Sequence, residues 1–284
     1  MKNLLQNPDV QAYIDIALRE DIGSGDHSSL ACISSEKAGN AYCVAKDNGI
    51  ICGLPLAEYI FKKVDSTLVF KPNFNDGDEI KVGDIIFTVE GKSISILTAE
   101  RLVLNFMQRL SGVATQSRFI SNLIKDYKTK VLDTRKTTPG MRLFEKYAVK
   151  VGGSFNHRIG LYDMIMLKDN HIDFAGGIAQ AIEKTHQYLK ENNLDLKIEV
   201  ETRNLDEVNQ VLNKGGVNRI MLDNFTPELL KEAILLIGGK YETEASGGIT
   251  KETIANFAAS GVDYISVGAL THSAKSIDLS LKVS

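Results

Sequence analysis

The hydrophobic pattern of the chain changes near residue 130. Before that point, short segments alternate apolar and polar residues at 41–45, 68–71 and 84–89. A period of two is typical of half-buried strands, and the turn-forming residues of 75–84 predict a hairpin between the last two segments. Residues 8–20 have the pattern of an amphipathic helix. The first ninety or so residues are therefore predicted to be α+β with antiparallel pairing.

A largely apolar helix is predicted next, with Thr98 as its N-cap and Gly112 as its stop. Its polar residues fall on one stripe at helical spacing, formed by Arg101, Asn105 and Gln108. A helix that is apolar on nearly all other sides is buried in a core or at a subunit interface.

Beyond residue 130, short runs rich in Val, Ile and Leu alternate with helical patterns at 178–191, 204–214, 227–237 and 250–260. About six strands are expected there, and their apolar character predicts a parallel sheet, either a barrel or a doubly wound fold. In an α/β barrel the carboxyl ends of the strands meet on one face, and that face holds the active site.

The predicted strands end in charged or glycine-containing segments. These segments are 133–136, 168–171, Glu201, Asp223–Asn224, 246–248 and 267–269. The glycines of the segments 246–248 and 267–269 predict loops that bind phosphate through backbone N–H groups, because loops after the final strands of such barrels commonly bind a phosphate group. Two successive loops of this kind favour phosphate binding over simple chain reversal.

Basic residues are concentrated between 135 and 168. Arg135, Lys136 and Lys168 directly follow apolar strand runs, which favours an anion site, and arginine offers forked recognition of carboxylate or phosphate. Lys146 and Lys150, by contrast, are predicted to lie on a solvated face.

Two acidic residues end consecutive strands. Glu201 and Asp223 would suit Mg²⁺ at a phosphate site, or a salt bridge to a barrel lysine, and the two arrangements can coexist. His157 and His171 match no zinc spacing and are given no proton-transfer role. These residues predict an enzyme for a phosphorylated, polyanionic substrate, with Mg²⁺, but leave its reaction open.

Composition narrows the class of protein further. The 284 residues are 43% hydrophobic and 24% charged, with a net charge of −3, which gives no general attraction to nucleic acid or membrane. The N-terminus lacks the apolar core of a signal peptide, and no apolar run reaches the length of a membrane span. Three cysteines without paired spacing indicate reduced thiols in a cytoplasmic protein.

As sequence motifs, the segments that contain these residues closely resemble those of the quinolinate phosphoribosyltransferase family. The most specific motifs are DTRKTTPG at 133–140, NHRIGL at 156–161 and KDNH at 168–171. Further matching segments follow in family order at 20–26, 98–105, 110–115, 146–149, 199–201, 222–225, 245–248 and 263–272. Two mild departures, Ser28 and Ser154, remove no charged group.

The resemblance implies an N-terminal open-faced α/β sandwich over 1–112 and an incomplete, seven-stranded, TIM-like α/β barrel over 113–274. The tail, 275–284, is expected to return to the first domain. The implied reaction converts quinolinate and phosphoribosyl pyrophosphate into nicotinate mononucleotide, pyrophosphate and CO2, with Mg²⁺, in NAD biosynthesis. A cytoplasmic homodimer, or a hexamer of dimers, is also implied.

Site residues are carried over from the family by position. The implied quinolinate pocket comprises Arg101 acting in trans, Thr134, Arg135, Lys136, His157 and Arg158. The implied phosphoribosyl pyrophosphate site comprises Lys168, Glu201, Asp223, Ser246, Gly247, Gly248, Val267, Gly268, Ala269 and His272. Glu201 and Asp223 would hold the metal, and the implied catalytic residues are Lys136, Lys168, Glu201 and Asp223.

Three alternatives remain at this level. A relative could use nicotinate without decarboxylation, although four cations, Arg101, Arg135, Lys136 and Arg158, favour a dicarboxylate. A Schiff-base aldolase could use Lys168 as its nucleophile. A biotinyl- or lipoyl-like carrier could be built on 77–91, where no lysine occupies the expected tip.

Overall fold

The computed structural model describes all 284 residues, the side chain of Lys2 excepted. The helices are α1 (Lys2–Leu5), α2 (Pro8–Ile22), α3 (His27–Cys32), α4 (Leu54–Val64), α5 (Ser93–Leu123), α6 (Arg142–Val151), α7 (Asp169–Ala175), α8 (Ile178–Glu191), α9 (Leu205–Lys214), α10 (Pro227–Ile237), α11 (Ile254–Ala258) and α12 (Ala269–His272). The strands are β1 (Ala38–Ala45), β2 (Gly49–Ile50), β3 (Val69–Pro72), β4 (Glu79–Ile80), β5 (Ile85–Lys92), β6 (Lys130–Leu132), β7 (Ile165–Leu167), β8 (Ile198–Thr202), β9 (Arg219–Asp223), β10 (Glu242–Ser246), β11 (Tyr264–Ser266) and β12 (Leu279–Val283).

The chain forms two compact units. The first comprises residues 1–119, 137–153 and 270–284, and the second comprises 120–136 and 154–269. In the first unit, an antiparallel sheet has the strand order β12-β1-β5-β3, so the end of the chain pairs with β1. Aromatic rings of Phe61, Phe70 and Phe87 pack together in its core, with centroids 4.7–5.9 Å apart. The predicted antiparallel α+β character is confirmed, while the division at residue 112 stays a prediction.

Helix α5 is much longer than predicted. It begins at Ser93 and continues through Gly112 to Leu123, so Thr98 is not its N-cap and Gly112 is not its stop. The reason is a close approach: a Cβ on residue 112 would meet the Lys275 carbonyl group and lie 2.9 Å from the Cα of Ser276. This glycine therefore admits the returning backbone of the tail instead of ending the helix.

The second unit contains a parallel sheet with the strand order β6-β11-β10-β9-β8-β7. This sheet has the six strands expected from the sequence pattern, one fewer than the seven-stranded barrel that the resemblance implies. Phe155 adds a single parallel bridge to Leu132 of β6. The mixed α/β fold class, with a parallel sheet and an N-terminal antiparallel sheet, is confirmed.

The helices of the second unit follow the sequence pattern, with one exception. Helices α8, α9 and α10 coincide with the predicted segments within one residue, and Asn204 and Thr226 cap the last two by accepting backbone N–H groups. The segment predicted as a helix over 250–260 forms only the five-residue α11. Among the described residues, no helix is both long and apolar enough to cross a membrane.

Candidate active site

Strand register brings the predicted residues of the second unit together. Ser246 at the end of β10 is paired with Asp223 at the end of β9. Leu167 of β7 is paired with Val200 of β8, so the next residues along each strand, Lys168 and Glu201, are also neighbours. The parallel strands therefore carry their terminal polar residues to one edge, as the sequence predicted.

Lys168, Glu201 and Asp223 form a charged cluster at that edge. The Lys168 Nζ lies 2.9 Å from Glu201 Oε2, so the predicted barrel salt bridge is present. Burial and the adjacent charge of Glu201 raise the pKa of Asp223, while Lys168 opposes this rise. Two carboxylates and one ammonium thus share the site, which leaves a surplus of negative charge.

The backbone at Lys168 is held by a neighbouring histidine. The Lys168 N–H donates to Nδ1 of His171 at 3.0 Å, at the start of α7. His171 therefore fixes the turn that carries Lys168, which explains the KDNH motif without a proton-transfer role for the ring.

The glycine loop after β10 packs against the end of β9. The Asn224 N–H donates to the Ser246 carbonyl at 2.8 Å, and the Asn224 amide donates to Asp223 at 2.6 Å. Gly247 has φ +95°, and a Cβ there would collide with the Asn224 side chain. Glycine is required at this position for both reasons. The other glycine loop follows β11, where the Val267 N–H donates to the Leu132 carbonyl at 2.9 Å.

Arg135 and Arg158 provide the cationic part of the site. Both are half-buried, and burial together with the positive charge of Arg135 lowers the pKa of Arg158. The Arg158 guanidinium donates to the Met164 carbonyl at 3.1 Å, which directs it along β7. Neighbouring like charges are unfavourable by themselves and are relieved by a bound anion. Lys136 is exposed, and its N–H donates to Thr134 Oγ1 at 3.0 Å.

His157 is buried beside these arginines, and both of its ring nitrogens face the protein. Nδ1 accepts the Arg158 N–H at 2.7 Å, while Nε2 lies 3.0 Å from Glu199 Oε2 and 3.3 Å from Glu244 Oε2. The His157 N–H donates to the buried Asp133 at 2.8 Å. The imidazole is thus fixed between the loop backbone and two glutamates.

Two influences on the His157 ring oppose each other. Burial lowers the pKa of His157, but hydrogen bonding to Glu199 and Glu244 outweighs it and raises the pKa to about 9. The Arg158 N–H aimed at Nδ1 disfavours a second proton on the ring. With Nδ1 accepting that amide N–H, the proton on Nε2 is the one directed at Glu199 and Glu244.

The sequence interpretation missed an inner layer of charge below the strand ends. Glu199 and Glu244 are fully buried, and Arg219 Nη1 donates to Glu244 at 2.8 Å. Arg219 also contacts Glu242 and lies over the Tyr264 ring, 4.0 Å from its centroid. The signal was present: glutamates two residues apart, as in 199–201 and 242–244, point to the same face of a strand.

The remaining predicted residues lie in the first unit. Arg101 is exposed on α5, and His272 is exposed at the end of α12. The prediction that Lys146 is solvated is wrong, because its side chain is 1% exposed on the inner face of α6, whereas Lys150 is exposed as predicted. The two lysines are four residues apart and share one face of α6, so the difference arises because the middle of that face is covered while its C-terminal end is open, which the sequence pattern does not reveal.

Comparison with known proteins gives a consistent result along the whole chain. Two family models match, "Quinolinate phosphoribosyl transferase, N-terminal domain" over residues 26–111 and the corresponding C-terminal domain over 113–282. A tobacco protein named quinolinate phosphoribosyltransferase [decarboxylating] 1b is 46% identical over 97% of this chain and 82% of its own length.

Solved bacterial structures agree with these matches. The nicotinate-nucleotide pyrophosphorylase from Francisella tularensis superposes with a TM-score of 0.90 at 42% identity, over 97% of this chain and 96% of that chain. NadC from Streptococcus pyogenes gives a TM-score of 0.92 at 41% identity with the same coverage.

Proposed function

The chain belongs to the quinolinate phosphoribosyltransferase family, and from that premise we propose how its residues bind and convert the two substrates. It is a phosphoribosyltransferase of NAD biosynthesis, a carboxylating nicotinate-nucleotide pyrophosphorylase. Neither a Schiff-base aldolase nor a carrier module is consistent with this family.

The quinolinate pocket is proposed to be built around Arg135 and Arg158. The observation that supports it most strongly is that these two guanidinium groups are both half-buried, with burial and the nearby charge of Arg135 lowering the pKa of Arg158; two adjacent carboxylates would neutralise both groups. Lys136 and Thr134, in the same turn, would complete the contacts. A monocarboxylate such as nicotinate would leave part of this positive charge unpaired, which is costly in a buried site.

Phosphoribosyl pyrophosphate is proposed to bind at the Lys168 cluster. Glu201 and Asp223 would hold ribose hydroxyls, and Lys168 would neutralise charge on the departing pyrophosphate. The loops 246–248 and 267–269 would bind the 5′-phosphate through backbone N–H groups.

Mg²⁺ fits the same carboxylate pair. Two carboxylates face one ammonium here, and burial and the charge of Glu201 raise the pKa of Asp223, so a divalent cation would neutralise the surplus negative charge. When bound there, the ion would supply charge neutralisation for the phosphate oxygens. In that arrangement Lys168 remains the cation contributed by the protein, 2.9 Å from Glu201.

Displacement at the anomeric carbon is expected to pass through an oxocarbenium-like state, as in glycoside chemistry. Glu201 and Asp223 would stabilise the positive charge that develops on the ribose. The quinolinate nitrogen bonds to the anomeric carbon as pyrophosphate leaves, and the ring becomes cationic. The cationic nitrogen stabilises the electron pair left on the adjacent ring carbon when the carboxylate departs as CO2, and a proton from water then forms the new C–H bond, so decarboxylation needs little further machinery.

We also propose that the active form is a homodimer, alone or in a hexamer of dimers, in which Arg101 of the partner subunit completes each quinolinate pocket. Arg101 is exposed on α5 and is therefore available to a partner subunit, which supports this proposal. A cytoplasmic location is proposed because all three cysteines are free thiols, as is usual in a reducing compartment.

The test is a product assay with two alternative acceptors. Purified protein with phosphoribosyl pyrophosphate and Mg²⁺ is expected to form nicotinate mononucleotide from quinolinate, and to use nicotinate at a rate lower by at least about 100-fold, since an unpaired buried charge costs roughly 3–5 kcal/mol. Comparable turnover of both acids would contradict the assignment of the pocket to a dicarboxylate.

A further inference from the structure

Behind the proposed quinolinate pocket lies a buried charged cluster of four side chains, His157, Glu199, Arg219 and Glu244. Glu199 and Glu244 are fully buried, and the His157 side chain is 5% exposed. None of the four belongs to the Lys168 cluster at the strand ends. Their role therefore depends on which neighbouring groups they hold in position.

Polar contacts connect this cluster to the backbone of Arg158. Arg219 donates to Glu244 Oε2 at 2.8 Å, and the same oxygen lies 3.3 Å from His157 Nε2. On the other side of the ring, Nδ1 accepts the Arg158 N–H at 2.7 Å. With both nitrogens directed at protein groups, the ring links the strand interior to the backbone of a pocket arginine.

We propose that Glu199, Glu244 and Arg219 are positioning residues that act through His157 to orient Arg158 for quinolinate, a role that rests on the proposed function. His157 then serves as a hydrogen-bond bridge and does not itself contact the substrate. Fixing a guanidinium within a fraction of an ångström requires such support behind it, because a loop arginine alone has many rotamers.

A metal ion is the competing explanation for this cluster. The ligand atoms of His157, Glu199 and Glu244 all lie within 4.8 Å of one another, as in a three-residue metal site. Arg219, however, already contributes a positive charge at Glu244, and a cation bound there would be repelled by it.

Two substitutions of His157 separate bridging from direct substrate contact. In His157→Asn the side-chain oxygen can take the place of Nδ1 and accept the Arg158 N–H, whereas in His157→Gln the amide reaches the position of Nε2 and that acceptor is lost. We expect the KM for quinolinate to rise by less than about threefold in the asparagine variant and by about tenfold or more in the glutamine variant, as for loss of one hydrogen bond. An equal rise in both variants would overturn the bridging role.

A second pair keeps the test valid if the His157 variants do not fold. Glu244→Gln removes a charge that faces His157, while Glu242→Gln removes a neighbouring charge that contacts Arg219 but not the ring. Only Glu244→Gln is expected to raise the KM for quinolinate, by about five- to tenfold, with kcat and the KM for phosphoribosyl pyrophosphate within about twofold of the unmodified enzyme. A purely structural role would lower the unfolding midpoint and leave KM unchanged.

Two further measurements complete the experiment: analysis of bound metal and a product assay of the unmodified enzyme. One equivalent of metal that survives dialysis against EDTA and is lost in Glu244→Gln would overturn the proposal in favour of a metal site. Failure of the unmodified enzyme to form nicotinate mononucleotide would instead contradict the proposed function, and quinolinate binding measured by calorimetry would still rank the four variants.

Discussion

Replacing Arg158 by methionine should weaken quinolinate binding without weakening the fold. The guanidinium is half-buried, repelled by Arg135 and bonded to one backbone carbonyl, at Met164. Removing it abolishes a charge-assisted contact to a carboxylate, which is worth about 1.5–3 kcal/mol, or roughly a 10- to 150-fold loss of affinity. It also relieves the desolvation of a half-buried cation and its repulsion by Arg135, while removing its attraction to Glu199 and Asp163, so the unfolding midpoint should change little.

The assay is calorimetric titration with quinolinate, combined with thermal unfolding. Arg203→Met is the matched control, because Arg203 lies in the same unit but pairs with Glu207 and Asp173 outside the site. That variant should bind quinolinate normally. Unchanged quinolinate affinity in Arg158→Met would refute the assigned contact, and a large fall in unfolding temperature would show that the guanidinium is mainly structural.

Three further predictions concern the other charged residues. Arg135→Ala should lower turnover by about 10²–10³-fold while circular dichroism stays unchanged, and near-normal steady-state rates would contradict its role. Glu201→Ala and Asp223→Ala should raise the KM for phosphoribosyl pyrophosphate yet leave quinolinate binding by calorimetry nearly intact; collapse of that binding in both would mean that the carboxylates support the basic pocket. Arg101→Ala and Lys168→Ala homodimers should be nearly inactive. Mixing them with verified subunit exchange should restore about a quarter of full activity, since half of the dimers then contain one intact site, and no recovery would exclude action in trans.

The part of the site at the strand ends could be predicted from the sequence because it depends on local pattern. Each apolar run fixes where a strand ends, and parallel strands bring their ends together. This pattern alone was enough to predict that Lys168, Glu201 and Asp223 lie close together, and the structure places them as neighbours.

Features that depend on distant backbone could not be predicted in the same way. Gly112 resembles a helix stop until the tail at Lys275 is known to pass beside it. The pairing of Glu244 with His157 and Arg219 needs the register of separate strands, which periodicity within one strand does not give. Burial of Lys146 likewise depends on what covers α6.

The central claim is that this chain couples phosphoribosyl transfer to the loss of one quinolinate carboxylate. The most direct measurement uses quinolinate labelled in the carboxylate next to the ring nitrogen, with phosphoribosyl pyrophosphate and Mg²⁺. The predicted result is nicotinate mononucleotide, pyrophosphate and labelled CO2 in equal amounts. Label retained in the nucleotide, or labelled CO2 released without pyrophosphate, would contradict the claim.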